Sequence, residues 1–344
     1  MTENTTKIRN CSIDIFRYIC EIMVVAIHTH PFSDINENLG YIFTEIIPRI
    51  GVPLFFATSG YFYIQKLENN QKPFFSYCKR LFITYFIWSC IYFVIDFLQW
   101  GYSNPKSFLS RCIYHFIITG SWEHFWFFPA LIFSVCLSTI IFRIRCSKII
   151  IPLSIFLYII GCLGCSYYEI SIHIPVLENL FSFSHFNLIR RILLMGFPFF
   201  VSGYLVYKIR EPIFHILTNK VLLFIEIVVI IIWLAEIYLV RILKCQNNII
   251  ITFGLYLLVV FTLLILLRNP LPQYRTLSCK SRILANFTYY SHPLYIMGLN
   301  ILADKLLHMN LTATPIFLLT TGLTCICGII IYRYNNKVLN YIVN

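Results

Sequence analysis

The sequence predicts an all-α polytopic membrane bundle of about ten helices around a polar cavity, with both termini cytoplasmic. Three observations predict it. The 344 residues are 58 % apolar and only 12 % charged, with a mean hydropathy of +0.74, whereas a soluble domain is about 45–50 % apolar and about 25 % charged. The apolar residues gather into ten runs, each close to the roughly 20 residues that cross a bilayer. The basic residues collect in alternate gaps between those runs. Together these exclude a soluble globular enzyme, a disordered chain and a fibrous repeat. A single integral-membrane domain over 1–344 uses the whole length, and no soluble domain is expected.

The runs lie near 12–30, 42–65, 78–98, 123–142, 149–166, 187–207, 221–241, 248–267, 283–304 and 313–333. The first carries Asp14, Arg17 and Glu21 and has no small-residue cleavage site after it, so it reads as a retained helix and not a signal peptide. With the N-terminus inside, the inner gaps hold 18 of the 27 Lys and Arg residues. The outer gaps hold Lys106, Arg111, Arg241, Lys244 and Lys305, and Arg17, Arg49, Arg190 and Arg191 lie in or beside runs. That alternation assigns a multi-pass protein of the plasma membrane. The formal charge of +12 is then an orientation signal. The bilayer, and no nucleic acid, is the expected partner. Pro105 to Gly120 reads as a short interfacial helix. Most of the 13 cysteines fall inside apolar runs and read as small hydrophobes. Cys162-Leu-Gly-Cys165 has redox or zinc spacing without the soluble context, so it reads as structural, and no metal site is expected.

Ionisable groups inside a spanning helix are expensive and point to function. At about 100° per residue, Asp14, Arg17, Glu21 and His28 form one stripe. Arg17 and Glu21 are spaced i, i+4 and can pair. Arg17 and His28 stand about 16 Å apart along the axis, Arg17 about one turn from the cytoplasmic face and His28 near the outer end. A phosphate-bearing donor held by basic groups inside would reach a histidine outside along this seam. Histidine is the natural general base for a hydroxyl attacking a thioester. The structural alternative is a stripe that merely pairs with other helices.

Other polar residues invite both readings. Arg49, between Pro48 and Pro53, would hold a polar or anionic acceptor at a broken helix, or snorkel to the interface. Glu123, His124 and Trp126 lie at the outer end of the fourth run, level with His28. There Glu123 would orient an imidazole or an acceptor hydroxyl, while Trp122 and Trp126 also suit interface anchors. His292 precedes Pro293 deep in the ninth run. Arg190 and Arg191 precede Pro198-Phe-Phe-Val-Ser-Gly-Tyr204, which echoes Pro53-Leu-Phe-Phe-Ala-Thr-Ser-Gly-Tyr61 with two fewer residues. The echo is compatible with an internal repeat or with coincidence.

Five stretches carry a family resemblance. Arg9-Asn-Cys-Ser-Ile-Asp14-Ile-Phe-Arg17, with His28 eleven residues on, resembles the first helix of the acyltransferase-3 family of integral membrane acyltransferases. Gly51-Val-Pro-Leu-Phe-Phe-Ala-Thr-Ser-Gly60 resembles its V-P-x-F-F-x-x-S-G segment. Tyr77-Cys-Lys-Arg-Leu81 with Trp88-Ser-Cys-Ile-Tyr92 resembles its basic entry to the third helix. His124-Phe-Trp-Phe-Phe-Pro129 and Tyr289-Tyr-Ser-His-Pro293 resemble its H-L-W-F-L-P and Y-x-x-H-P segments. The details look nearest to the branch containing the membrane domain of vancomycin-resistance serine racemases. This chain stops about ten residues after its last run, so racemase chemistry is not expected. The family's R-x-x-R at the third-helix entry is here Arg80-Leu-Phe-Ile83, with Lys79 and Lys72 as the remaining cations.

The resemblance implies transfer of an acyl group, often acetyl, from acyl-CoA (acetyl-CoA) as co-substrate, with no permanently bound cofactor. The acceptor would be a hydroxyl of an extracytoplasmic sugar, a cell-envelope polymer or a lipid-linked glycan. His28 would be catalytic with Glu123, while Arg17, Lys79 and Arg80 would bind the donor. Asp14, Glu21, Arg49, His124, Trp126 and His292 would line the acceptor side or cavity. The alternative is a transporter or exporter of a small polar substrate, such as serine, or of a glycan-linked lipid.

Overall fold

The computed structural model describes residues 10–69, 71–100, 105–246 and 250–334. Lys7, Arg9 and Lys337 of the charge count lie outside them. Among the described residues every regular element is a helix, and a helix occupies each of the ten runs. These are α1 (Cys11–Thr29), α2 (Glu37–Glu68), α3 (Phe74–Trp100), α4 (Glu123–Arg143), α5 (Ser147–Leu163), α6 (Phe186–Ile216), α7 (Asn219–Ile242), α8 (Phe253–Arg268), α9 (Arg275–Leu302) and α10 (Ala313–Tyr334). A short helix also forms over Pro105–Tyr114.

Among the described residues six of these helices, α2, α3, α4, α6, α7 and α10, are long and apolar enough to cross a membrane. A seventh crossing results if α8 and the helix that follows it, bent by 86°, count as one. The other two fall short for local reasons: α1 holds three charges in 19 residues, and α5 has 17 residues. The bend follows from Asn269-Pro270-Leu271-Pro272, where Leu271 adopts a left-handed φ of 50° and two prolines withhold N–H donors. Beyond it, α9 starts at Arg275, eight residues before the apolar run. Hydropathy marks where side chains leave water, not where a helix begins, so Arg275, Lys280 and Arg282 sit on helical turns and not in a gap. Within α2, Pro48 falls in a 3-10 turn over Ile47–Ile50 that joins a π turn over Ile42–Ile46 to the α-helical part from Gly51. The chain changes helix type at the prolines without leaving the helix.

The chain divides into two compact units, residues up to Val52 with those from Leu263 onward, and Pro53–Thr262. In the first unit α1, α9 and α10 pack on one another. The start of α1 is fixed by its own cap. Asn10 accepts from the Ile13 N–H and donates to the Leu266 carbonyl, Ser12 Oγ donates to the same carbonyl at 2.7 Å, and the Cys11 N–H reaches Pro270 at 2.8 Å. At the other end His30 turns left-handed, φ 51°. The following loop is pinned to the start of α10 by Asp34, whose carboxylate accepts the Thr314 N–H and hydroxyl. The Thr314 hydroxyl, helped by that of Thr312, holds the Asp34 carboxyl down at about 2.

In the second unit the two echoing segments lie against each other. A Cβ on Gly60 would meet the Phe200 carbonyl oxygen at 1.8 Å, and one on Gly203 would meet the Ala57 oxygen at 2.0 Å. Each glycine thus abuts the residue three before the other glycine, a reciprocal small-residue contact that lets two backbones touch. Farther along both helices Lys208 Nζ lies 3.1 Å from Glu68, so α2 and α6 run in the same direction. Their shared chemistry is a packing motif. At the far end of α7, Glu236 accepts the Tyr167 hydroxyl and the Phe253 and Gly254 N–H groups, capping the start of α8. None of the cysteines is disulfide-bonded, and Cys162 and Cys165 are buried.

Candidate active site

The first unit carries a polar seam between α1 and α9. Ser278 Oγ donates to Asp14 at 2.6 Å, and the His28 and His292 rings lie 5.1 Å apart. Both pairs are offset by 264 residues, so α1 and α9 run parallel and in register over 14 residues, about 21 Å. Between these ends Arg17 Nη2 donates to the Asn286 side chain at 3.2 Å. In register Arg17 faces Ser281, and Asn286 stands five residues, about 7.5 Å, farther on. The guanidinium is therefore drawn along the axis toward the histidines. Glu21, one turn above Arg17, is 3 % exposed, and Arg17 is the charge that acts on it. A buried carboxylate needs such a partner.

The two imidazoles differ. His28 is half-buried one residue from the end of α1. His292 is 0 % exposed, and its Nδ1 lies 3.0 Å from the Thr288 carbonyl. A carbonyl only accepts, so Nδ1 carries the proton and Nε2 keeps a lone pair in the neutral ring. His292 is thus not isolated deep in its run. It stands level with His28.

The remaining candidates separate by place. In the first unit Arg49 forms an ion pair with Glu45, one turn back, and Nε donates to the Glu45 carbonyl at 3.0 Å. In the second unit Glu123 is exposed on a 3-10 turn, while the next residue, His124, is 4 % exposed. The His124 ring packs on Phe125 and Tyr92, 4.0 and 5.5 Å away. Glu123 and His124 therefore point to different surroundings. The Trp126 ring carries the Arg191 guanidinium at 5.6 Å. Lys79 and Arg80 are exposed on the early turns of α3, with Arg80 over the Tyr77 ring at 5.5 Å.

Sequence reasoning missed Ser278 and Asn286. The signal was available: Ser278, Ser281, Thr288 and His292 recur at steps of 3, 7 and 4, the spacing of one helix face, and all four are buried. Small polar residues in an apolar run draw less notice than charges.

Comparison with known proteins agrees with the motifs. A family model described as an acyltransferase domain matches residues 10–333. An amino-acid racemase of Enterococcus faecalis is 34 % identical over 182 residues, 52 % of this chain and 26 % of that protein. A serine/alanine racemase of Enterococcus gallinarum is 28 % identical over 176 residues, 49 % of this chain and 25 % of that one. The chain spans about a quarter of the length of these relatives. No solved structure matches it. A match over nearly the whole described chain, with the motifs in order, places this protein in the acyltransferase-3 family, on the branch it shares with racemases of the vancomycin-resistance type.

Proposed function

We propose that the protein is a membrane-embedded O-acyltransferase that moves an acyl group, in the simplest case acetyl, from cytoplasmic acyl-CoA to a hydroxyl of an extracytoplasmic sugar, envelope polymer or lipid-linked glycan. The observation that carries this reading is the parallel α1–α9 seam, in which Asp14 and Arg17 stand about 21 and about 16 Å along the axis from two adjacent imidazoles. The family domain supports the acyltransferase class. On this reading the chain crosses the plasma membrane ten times with both termini inside, α1 rising outward.

His28 is the general base, since it is the more exposed of the two rings. It takes the proton of the acceptor hydroxyl as that oxygen attacks the thioester carbonyl. The carbon–sulfur bond breaks, and the imidazolium returns the proton to the departing thiolate, giving ester and free thiol. His292 positions His28, its own tautomer set by Thr288. Arg17 steadies the donor in the seam, and the exposed Lys79 and Arg80 draw its phosphates from the cytoplasm. Glu123 serves the acceptor side.

The test uses purified protein in lipid nanodiscs with radiolabelled acetyl-CoA and envelope extract. Wild type transfers label, and His28→Ala, equally folded, loses it by about 10²-fold or more. Equal transfer by both removes the mechanism. A second reading follows from the relatives, which are named for amino acids: the chain would transport a small polar substrate such as serine. That reading predicts flux into vesicles with no acyl donor present.

A further inference from the structure

The second unit holds a pair of arginines that the transfer mechanism does not use. Arg190 and Arg191 open the π-helical turn Arg190–Gly196 at the start of α6. A π turn fits more residues per turn than an α turn, so neighbouring side chains point more nearly the same way. Arg190 is 9 % exposed. Among the described residues no carboxylate lies within ion-pair distance of either guanidinium. Burial and the like charge of Arg190 both act against the Arg191 charge, and Glu123 is the acid that acts in its favour. The Arg191 guanidinium carbon lies 5.6 Å from the centroid of the Trp126 ring, a cation–π contact that takes up none of its N–H donors.

Two adjacent like charges, one of them nine-tenths buried, are costly in a membrane protein unless something neutralises them. Arginine edges are matched to planar or tetrahedral oxyanions, which they grip two N–H groups at a time. We infer that Arg190 and Arg191, beside Trp126, form an oxyanion-binding subsite of the second unit that takes the phosphate or carboxylate of an anionic sugar. The inference rests on the arginine pair itself and is independent of the acyl-transfer reading.

The experiment measures equilibrium binding of three radiolabelled hexoses, glucose 1-phosphate, glucuronate and glucose, to the full chain in phosphatidylcholine nanodiscs. The two anionic hexoses bind and glucose does not; whichever anion binds tighter identifies phosphate or carboxylate as the natural group. Arg190→Met and Arg191→Met keep side-chain length and each weaken binding by about tenfold. The Arg190→Lys/Arg191→Lys pair retains charge without the fork and falls between; it carries the test should a Met variant fail to fold. Equal binding of glucose, unchanged binding in the variants, or no binding of either anion overturns the subsite. So does occupation only by phosphatidylglycerol added to the nanodiscs, which would mark a lipid headgroup site. Acyl transfer by wild type without anion binding removes this subsite alone, whereas anion binding without transfer removes the function and leaves the subsite.

Discussion

The His28 and His292 rings stand 5.1 Å apart, tilted by 38°, on two helices that run the same way. The buried ring is anchored through Nδ1 to Thr288, which turns its Nε2 lone pair to the other side. A positioning partner of this kind acts on turnover and not on substrate affinity. His292→Gln is therefore expected to lower kcat by about tenfold or more while KM for acetyl-CoA stays put. A matching rise in KM, or no effect on either constant, would return His292 to a purely structural role.

The reciprocal contact of Gly60 and Gly203 brings the backbones of α2 and α6 together. In Gly60→Ala the new methyl meets backbone oxygen, which cannot rotate away, so α2 and α6 must part. Overpacking of this sort costs about 1–3 kcal/mol, occasionally more. Gly203→Ala strains the same crossing, and once the helices have moved the second methyl finds room. The double variant should be less destabilised than the two single values added together. Unfolding of the purified variants in detergent and SDS mixtures measures this, and full additivity would argue against a shared crossing.

Asp34 ties the loop after His28 to the first turn of α10. Its carboxyl is held at about 2 by the Thr314 hydroxyl, below the unfolded value of about 3.9. The folded protein therefore holds the proton less readily than the unfolded chain. The stability gained is fully present above about pH 4 and is lost as pH falls toward 2. Asp34→Ala should melt lower than wild type by a constant margin from pH 5 to 8, and the margin should close below pH 4. A margin that widens with acid would contradict the assignment.

Topology is open to direct labelling. On a background without native cysteines, a cysteine replacing Lys106 or Lys244 should react with an impermeant maleimide on intact cells. One replacing Lys72 or Lys220 should react only after the membrane is opened. Labelling of the second pair on intact cells would invert the proposed orientation, and a mixed result within either pair would change the number of crossings.

The helices were legible because each needs only a run of apolar side chains, which composition reports directly. So was the ionisable stripe, because Asp14, Arg17, Glu21 and His28 recur on one face of a single helix, and the periodicity lies within one segment. The partner face was not: Ser278 and Asn286 are more than 250 residues away, and serine and asparagine are cheap enough in a helix to pass unremarked. The same limit applied to Glu236, which sits near a run's end like many solvated acids until its hydrogen bonds to Tyr167, Phe253 and Gly254 are seen.

By itself the sequence determined a helical membrane protein, the ten runs, the alternating basic gaps and the family, because each is written in local order along the chain. Only tertiary structure decided that His292 stands beside His28, that Arg17 reaches Asn286, that Gly60 and Gly203 pack reciprocally, and that Arg49 is occupied by Glu45. Rotation and register of one helix against another depend on the packing of many side chains at once, and no single segment encodes that sum.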